Sequence, residues 1–185
     1  MADVARRPLA WPAGRSFPRA GVAPRRGPHA PDRIWWCLQP FLDDEDVPPL
    51  AGPNRAKFLQ MAAGTDNAYR LAIKHRVHVA FGTDTLFDAK LAARQGAQLA
   101  KLARWYSPAD VLQQATARNA ELLALSGPRN PYPGRLGVVA EGAIADLILV
   151  DGDPVADISL ITRPQETFLV ITKGGQLVKG TSEMF

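Results

Sequence analysis

Strand-like and helix-like segments alternate along the central part of this chain. Short runs of branched and aromatic residues at 34–41 and 77–81 are each followed by a helical pattern, over residues 55–76 and from residue 88 onward. Strands that alternate with helices pair in parallel through right-handed crossovers, so we expect an α/β fold. Eight such units close a barrel of about 250 residues. Residues 34–127 hold two predicted strands and can form only part of such a barrel.

Local signals set the expected limits of the helices. The helix over residues 107–126 begins with Ser, then Pro, then an acidic residue (SPAD), which is a favourable helix start, and it ends at a Gly-Pro pair. Residues 64–66 (GTD) are a candidate break in the helix over 55–76. A single helix is expected from residue 88 to Trp105.

The sequence after residue 127 changes to a β pattern. Four segments have strand-like composition, at residues 136–139, 144–150, 168–172 and 176–179. Lys173-Gly174-Gly175 separates the last two and predicts a hairpin turn. We therefore expect a small β unit after the α/β part.

The positive charge of the chain lies in its first 33 residues. The whole chain carries a net charge of +4, yet residues 1–33 hold seven Arg, no Lys and two Asp, and the remainder is slightly acidic. The same segment holds six of the 16 prolines and no periodic apolar pattern. We interpret residues 1–33 as a disordered Arg/Pro-rich tail.

Several origins of this tail remain open. It could be a solvated extension without a function, or a product of GC-rich DNA translated in a wrong frame or from a misplaced start. A nucleic-acid-binding arm would be expected to contain Lys and stacking aromatic residues, but only Trp11 and Phe17 precede Ile34. An organellar transit peptide would form an amphipathic helix, which the prolines oppose. Nucleic acid is therefore not an expected partner.

Composition excludes several other classes. Cys37 is the only cysteine, so one chain can form neither a disulfide nor a Cys-based zinc site. No apolar run approaches the ~20 residues needed to cross a bilayer, and no signal peptide is recognisable. The expected location is the cytoplasm, with no membrane partner.

Three segments together resemble one enzyme family. Residues 79–84 (VAFGTD) read as a strand that ends in an aspartate, and residues 116–123 (TARNAELL) match the pattern T-x-x-N-A-x-x-L. Residues 134–137 (GRLG) and 141–147 (EGAIADL) match a glycine-rich entry into a β-sandwich. In this order they resemble the C-terminal part of a metal-dependent amidohydrolase, in the branch that includes imidazolonepropionase-like and prolidase-like enzymes.

The resemblance covers residues 34–179 and implies a fold. Residues 34–127 would be the last two βα units of an incomplete (β/α)8 barrel, with residues 35–40 at its seventh strand. Residues 128–185 would be the C-terminal part of a composite β-sandwich. The reaction implied is hydrolysis of an amide-like carbon–nitrogen bond in a small-molecule substrate.

The resemblance assigns one site residue, Asp84. It would be a metal ligand and the catalytic group that accepts a proton from water and passes it to the leaving nitrogen. Without the resemblance, Asp84 could equally cap the turn into the next helix. The implied cofactor is a divalent metal, with zinc favoured, which needs at least three protein ligands. The family's other ligands, histidines and a lysine or glutamate, are missing, so we expect this chain alone to bind no metal and to be inactive.

His75, His78 and the acidic run at residues 43–46 are the other candidate metal ligands. His75 and His78 could pair, but His78 lies about 20 Å from Asp84 along an extended strand at ~3.3 Å per residue, which is too far for one metal. The acidic run at residues 43–46 lacks the spacing of a calcium loop. We interpret that run as a solvated loop and Cys37 as a small buried hydrophobe.

Two other classes of function remain. The chain could be a non-enzymatic interaction module that uses its basic tail, or one half of a split hydrolase whose other half supplies the histidines. A truncated gene product is the favoured interpretation. Two parallel strands without neighbours expose edges and apolar faces, so oligomerisation or aggregation is expected in the absence of a complementary half.

Overall fold

A computed structural model describes residues 35–38, 52–83, 85 and 89–180 of the chain. All of these belong to one compact unit, residues 33–185. None of the helices in these stretches is both long enough and apolar enough to cross a bilayer.

The first two strands form a parallel pair. Strand β1 (Trp35–Leu38) lies beside β2 (His78–Phe81), with Trp35 opposite His78 and Leu38 opposite Phe81. Helix α1 (Gly52–Lys74) lies between them in the sequence. The predicted order of strand, helix and strand is therefore confirmed, and with it the α/β character of this part.

Helix α1 is continuous, so the predicted break at residues 64–66 is wrong. The Thr65 hydroxyl donates to the Met61 carbonyl at 2.9 Å, and Asp66 pairs with Arg70 at 2.7 Å. These local bonds satisfy the polar side chains within a helical backbone. At the end of α1 the Arg76 N–H donates to the Ile73 carbonyl, and the Val77 N–H donates to the Ala72 carbonyl.

The single helix predicted from residue 88 to Trp105 is also wrong. The chain forms α2 (Ala89–Ala92), α3 (Gln95–Ala100) and a 3₁₀ turn (Lys101–Arg104). Gly96 in α3 abuts the carbonyl oxygen of Ile161 so closely that a Cβ would overlap it. The chain turns at residues 93–94, and α3 packs against the 3₁₀ segment Ile158–Thr162.

The helix start at Ser107 is confirmed, but the helix is divided. Ser107 Oγ accepts from the Asp110 N–H at 3.2 Å at the start of α4 (Pro108–Ala115), and α5 (Ala117–Ala124) follows. The break is at Thr116, whose backbone leaves the helical region (φ −119°, ψ −92°). The Thr116 hydroxyl donates to the Leu112 carbonyl at 2.7 Å.

The C-terminal part forms an antiparallel sheet of three strands. Its order is β3 (Leu147–Val150), β4 (Phe168–Lys173) and β5 (Gln176–Lys179), with helix α6 (Pro164–Thr167) before β4. The predicted hairpin at residues 173–175 is confirmed. The strand predicted at residues 136–139 is wrong, because Gly137 takes a positive φ of 71° and turns the chain there.

The buried core lies between α1, β2 and α4. Tyr69 is its centre: its ring stacks on Trp105 with centroids 4.2 Å apart and meets Tyr106 edge-on at 6.0 Å. The fully or almost fully buried apolar members of this cluster are Tyr69, Ala72, Val79, Leu102 and Val111.

The antiparallel sheet is much less covered. Exposed apolar side chains on its outer strands are Leu147, Ile148, Leu149, Leu177 and Val178, with Val178 66% exposed. Successive side chains of a strand point to opposite faces. Both faces of this sheet therefore present apolar surface within the part of the chain that is described.

Candidate functional site

The candidate site is the carboxyl end of β2, where the sequence places Asp84. Asp84 itself lies outside the residues that the structure describes, so its predicted role stays a prediction. The described residues before it, Phe81, Gly82 and Thr83, define how the strand end is held. In barrel enzymes catalytic groups follow the carboxyl ends of strands.

Asn119 on α5 fixes the last residue of β2. Its Oδ1 accepts from the Phe81 N–H at 3.1 Å, and its Nδ2 donates to the Phe81 carbonyl at 3.0 Å. A primary amide side chain thus makes the same pair of bonds that a neighbouring strand would make. Because Phe81 lies three residues before Asp84 in the sequence, this clamp fixes the start of the segment that carries the candidate site.

A second contact holds the segment further on. Thr83 is 9% exposed, and its hydroxyl donates to Gln95 Oε1 on α3 at 2.9 Å. A buried threonine whose hydroxyl is bonded has one defined orientation, because leaving that hydroxyl unpaired would be unfavourable. Helices α3 and α5 therefore hold the strand end from two directions.

The sequence contained a signal for one of these contacts only. Asn119 belongs to the pattern T-x-x-N-A-x-x-L at residues 116–123, but its role was not predicted. Thr83 lies in the family-like segment at residues 79–84, but nothing in the sequence indicates its contact with Gln95. A bond between residues 38 positions apart, as for Asn119 and Phe81, cannot be deduced from local periodicity.

The second and third family-like segments are in contact. Gly137 has φ +71°, and a Cβ on it would lie 2.6 Å from the Thr116 carbonyl oxygen. Glycine is thus needed for both the backbone angle and the close approach. This contact joins the loop before the antiparallel sheet to the break between α4 and α5.

Asp146 in the third segment organises the hairpin. Its Oδ1 accepts from the Gly174 N–H at 2.6 Å, and its Oδ2 accepts from Lys173 Nζ at 2.7 Å. The bond from Lys173, followed by that from Gly174, lowers the pKa of the Asp146 carboxyl below its usual value. Asp146 therefore has a structural role at the turn between β4 and β5.

The described histidines lie away from the candidate site. His78 begins β2 and His75 lies exposed just after α1, so both are at the amino end of the strand. Over residues 52–83 and 89–180, no three His, Cys, Asp or Glu side chains are grouped so that they could hold a metal ion. These stretches do not by themselves form a complete metal site. His29, Cys37 and the acidic run at residues 43–46 are not among the side chains described.

Comparison with known proteins gives a consistent match. The family model described as "Amidohydrolase family" matches residues 58–177. Ochratoxinase from Aspergillus niger is 36% identical over 125 residues, which are 68% of this chain and 24% of that protein. The chain thus spans about a quarter of the length of the curated relatives that it matches.

Solved structures agree with the sequence match. A prolidase crystallised with N-methylphosphonate-L-proline has a TM-score of 0.60 at 26% identity, over 72% of this chain and 30% of that one. The A. niger ochratoxinase structure has a TM-score of 0.58 at 29% identity, over 75% and 30%. An amidohydrolase structure at 24% identity shares the fold, with a TM-score of 0.64 over 80% and 35%. This chain belongs to the amidohydrolase family.

Proposed function

We propose that this chain forms the C-terminal part of a metal-dependent amidohydrolase that hydrolyses an amide-like carbon–nitrogen bond of a small substrate. The observation that carries the proposal is the pair of hydrogen bonds between the Asn119 side chain and the main chain of Phe81. Phe81 begins the segment that leads to Asp84 in the sequence. The family match over residues 58–177 includes this clamp and Asp84. A strand end held by two helices is suited to present a catalytic carboxylate in one position.

Asp84 would move the proton in the reaction. Its carboxylate would accept a proton from the water that adds to the amide carbon. It would return that proton to the nitrogen as the carbon–nitrogen bond breaks, which leaves a carboxylic acid and an amine. A divalent metal, with zinc favoured, would need further ligands from outside the described stretches, so we assign no step to it.

The architecture proposed for the chain is partial. Residues 34–127 would supply the last two βα units of a (β/α)8 barrel, and residues 128–185 would supply one part of a composite β-sandwich. Two observations support this division. The chain covers 30% of the prolidase and of the ochratoxinase structures. Its antiparallel sheet leaves Leu149 and Val178 exposed, as a sheet would that lacks a facing layer.

Catalysis would therefore need a complementary part. We propose that this chain alone neither holds the metal nor turns over substrate, and that a second polypeptide with the missing histidines would complete the site. The exposed apolar sheet gives such a partner a surface to bury. In its absence the same surface would favour self-association.

The proposal can be tested with one carboxylate and a matched control. The chain, Asp84→Asn and Asp151→Asn would be assayed for bound metal and for hydrolysis of N-acyl amino acids and dipeptides. Asp151 is an exposed aspartate after β3. Each would be measured alone and after co-expression with the part of A. niger ochratoxinase that this chain does not match.

We expect no turnover by the chain alone, and co-purification with turnover in the co-expressed pair. Asp84→Asn should lower kcat about 10²–10⁴-fold in that pair, as loss of a general acid–base group does, whereas Asp151→Asn should leave it unchanged. Full activity of Asp84→Asn would refute the role of Asp84. Turnover by the chain alone would refute the need for a complement, and a pair that co-purifies without turnover would refute the proposed reaction.

A further inference from the structure

A cavity of about 390 Å³ opens at the amino end of β2, whereas the candidate site is at the carboxyl end of this strand. It lies between the end of α1, the start of β2 and the turn that leads into α4. Its wall combines apolar side chains with two arginines, a histidine, an aspartate, a tyrosine and a serine. The candidate site at the carboxyl end of β2 uses none of these residues.

One wall of the cavity is apolar and rigid. Ile73 and Trp105 contribute to it. The Trp105 ring is fixed, because it stacks on Tyr69 and its Nε1–H donates to Asp66 Oδ1 at 2.9 Å. A fixed aromatic ring can contact an apolar group without a large loss of conformational entropy.

The charged side of the cavity is cationic. Arg118 pairs with Asp110 at 2.9 Å, and one carboxylate leaves several of the five guanidinium donors of Arg118 available. Arg76 also lines the cavity and forms no ion pair within the described part of the chain. Two guanidinium groups against one carboxylate leave a net positive charge, which favours an anion.

The Tyr106 hydroxyl is a further group in the cavity that could bind an anion. The Tyr106 oxygen is buried, and no hydrogen-bond partner for it exists within the described residues. Burial is the main cause that raises the pKa of Tyr106, so its hydroxyl stays protonated and able to donate. A buried donor without a partner is unfavourable, and an anionic ligand would relieve it.

Arg76 occupies a backbone conformation that normally requires glycine. Its φ is +51°, in the left-handed region. The two N–H bonds after α1, from Arg76 to Ile73 and from Val77 to Ala72, form a Schellman helix end, whose left-handed position is usually Gly. An arginine there destabilises the fold relative to glycine, and such strain is often found at functional sites.

We propose that this cavity binds a small organic anion, a carboxylate or phosphate monoester with an apolar body. The anionic group would bind Arg76, Arg118 and the Tyr106 hydroxyl. The apolar body would contact Trp105 and Ile73. Ser107, which also lines the cavity, is engaged in capping α4 and is not needed as a ligand.

The test is a binding titration on the full chain. Benzoate, phenyl phosphate, inorganic phosphate and uncharged benzyl alcohol would be titrated while the indole N–H signal of Trp105 is followed by NMR, with Trp105→Phe to assign that signal. A thermal shift in the same solutions provides a second readout, because a ligand of the native state raises Tm. We expect benzoate or phenyl phosphate to saturate with a Kd of about 1 mM or below.

Two variants and two controls make the result specific. Arg76→Gly should fold at least as well as the parent and should weaken anion binding about tenfold, and Tyr106→Phe should weaken it about threefold. Arg163→Ala, which removes an exposed guanidinium paired with Glu166, and Tyr132→Phe, at an exposed ring, should leave the Kd unchanged.

Three outcomes would overturn the proposal. These are the absence of saturable shifts with every anion, equal affinity for benzyl alcohol and benzoate, and an unchanged Kd in Arg76→Gly. Binding of phenyl phosphate without benzoate would identify phosphate monoesters as the ligand class, and the reverse would identify carboxylates. Hydrolytic activity and Asp84 play no part in these measurements, so they succeed or fail independently of the proposed function.

Discussion

The side-chain amide of Asn119 bonds both main-chain polar groups of Phe81, at 3.1 and 3.0 Å. One residue of α5 therefore takes the place of a strand at the last position of β2. The same amide also reaches the Ala115 carbonyl at 3.4 Å, which ties it to the end of α4. The Asn119 side chain therefore links α5, the end of α4 and the end of β2.

Replacing Asn119 by Leu should destabilise the fold by about 1–3 kcal/mol, because the Phe81 N–H and carbonyl lose their partners in a partly buried place. The free energy of unfolding of Asn119→Asp should lie between those of the parent and Asn119→Leu, since aspartate keeps the acceptor and loses the donor. Urea unfolding measures the free energy, and amide exchange at Phe81 should accelerate. Asn130→Leu is the control, because Asn130 makes one exposed bond to the Tyr132 N–H. Equal effects of the two leucine variants would contradict the clamp.

Glycine substitutions in two helices should have opposite effects. Gly96→Ala should destabilise by about 1–3 kcal/mol, because its Cβ would overlap the Ile161 carbonyl and the packing would have to shift. Gly64→Ala in the middle of α1 should stabilise by about 0.5–1 kcal/mol, because nothing lies within 4 Å of its Cβ and alanine favours helix. Thermal unfolding of both variants decides the matter, and a tolerated Gly96→Ala would refute the close contact.

Gln114 should be a site where a polar residue weakens the fold. It is 0% exposed, and within the described part of the chain neither Oε1 nor Nε2 has a hydrogen-bond partner. Gln114→Met, similar in volume, should raise the free energy of unfolding by about 1–2 kcal/mol because no amide is then buried without a partner. Gln113→Met, at an exposed position, should change it by less than about 0.5 kcal/mol. A destabilised Gln114→Met would show that the amide does have a partner.

Asp146 should make stability depend on pH in the acid range. Its pKa is lowered in the folded chain, first by the bond from Lys173. A lowered pKa gives stability that is complete above the unfolded value of about 3.9 and is lost as pH falls toward the folded value. The difference in Tm between the parent and Asp146→Asn should therefore be present at pH 7 and shrink below pH ~4.

Sequence patterns predicted the elements that depend on local chemistry. The order of β1, α1 and β2, the capped start at Ser107 and the hairpin after Lys173 all follow from periodicity, capping and turn residues within a few positions of one another. One wrong prediction involves a distant residue. The helix expected to run to Trp105 is broken where α3 packs against Ile161, more than sixty positions later in the chain.

The candidate site was predictable in one respect and not in others. The family-like segment ending in Asp84 directed attention to the end of β2. The contacts that hold this end could not be predicted, because Gln95 and Asn119 reach it from separate helices. The cavity at Arg76 was equally invisible, since a left-handed arginine has no composition signal of its own.

The contact between Gly137 and Thr116 has an evolutionary consequence. Suppose that the chain is recombined with a relative at residue 127, so that a foreign segment follows α5. The Thr116 carbonyl leaves no room for a side chain at position 137, so the incoming segment must carry glycine there. Gly96 lies on the other side of the boundary and contacts the main-chain carbonyl of residue 161. Any residue at position 161 supplies that carbonyl, so the retained segment must keep glycine at position 96. Exchange at this boundary therefore requires glycine at position 137 of the incoming segment and glycine at position 96 of the retained segment.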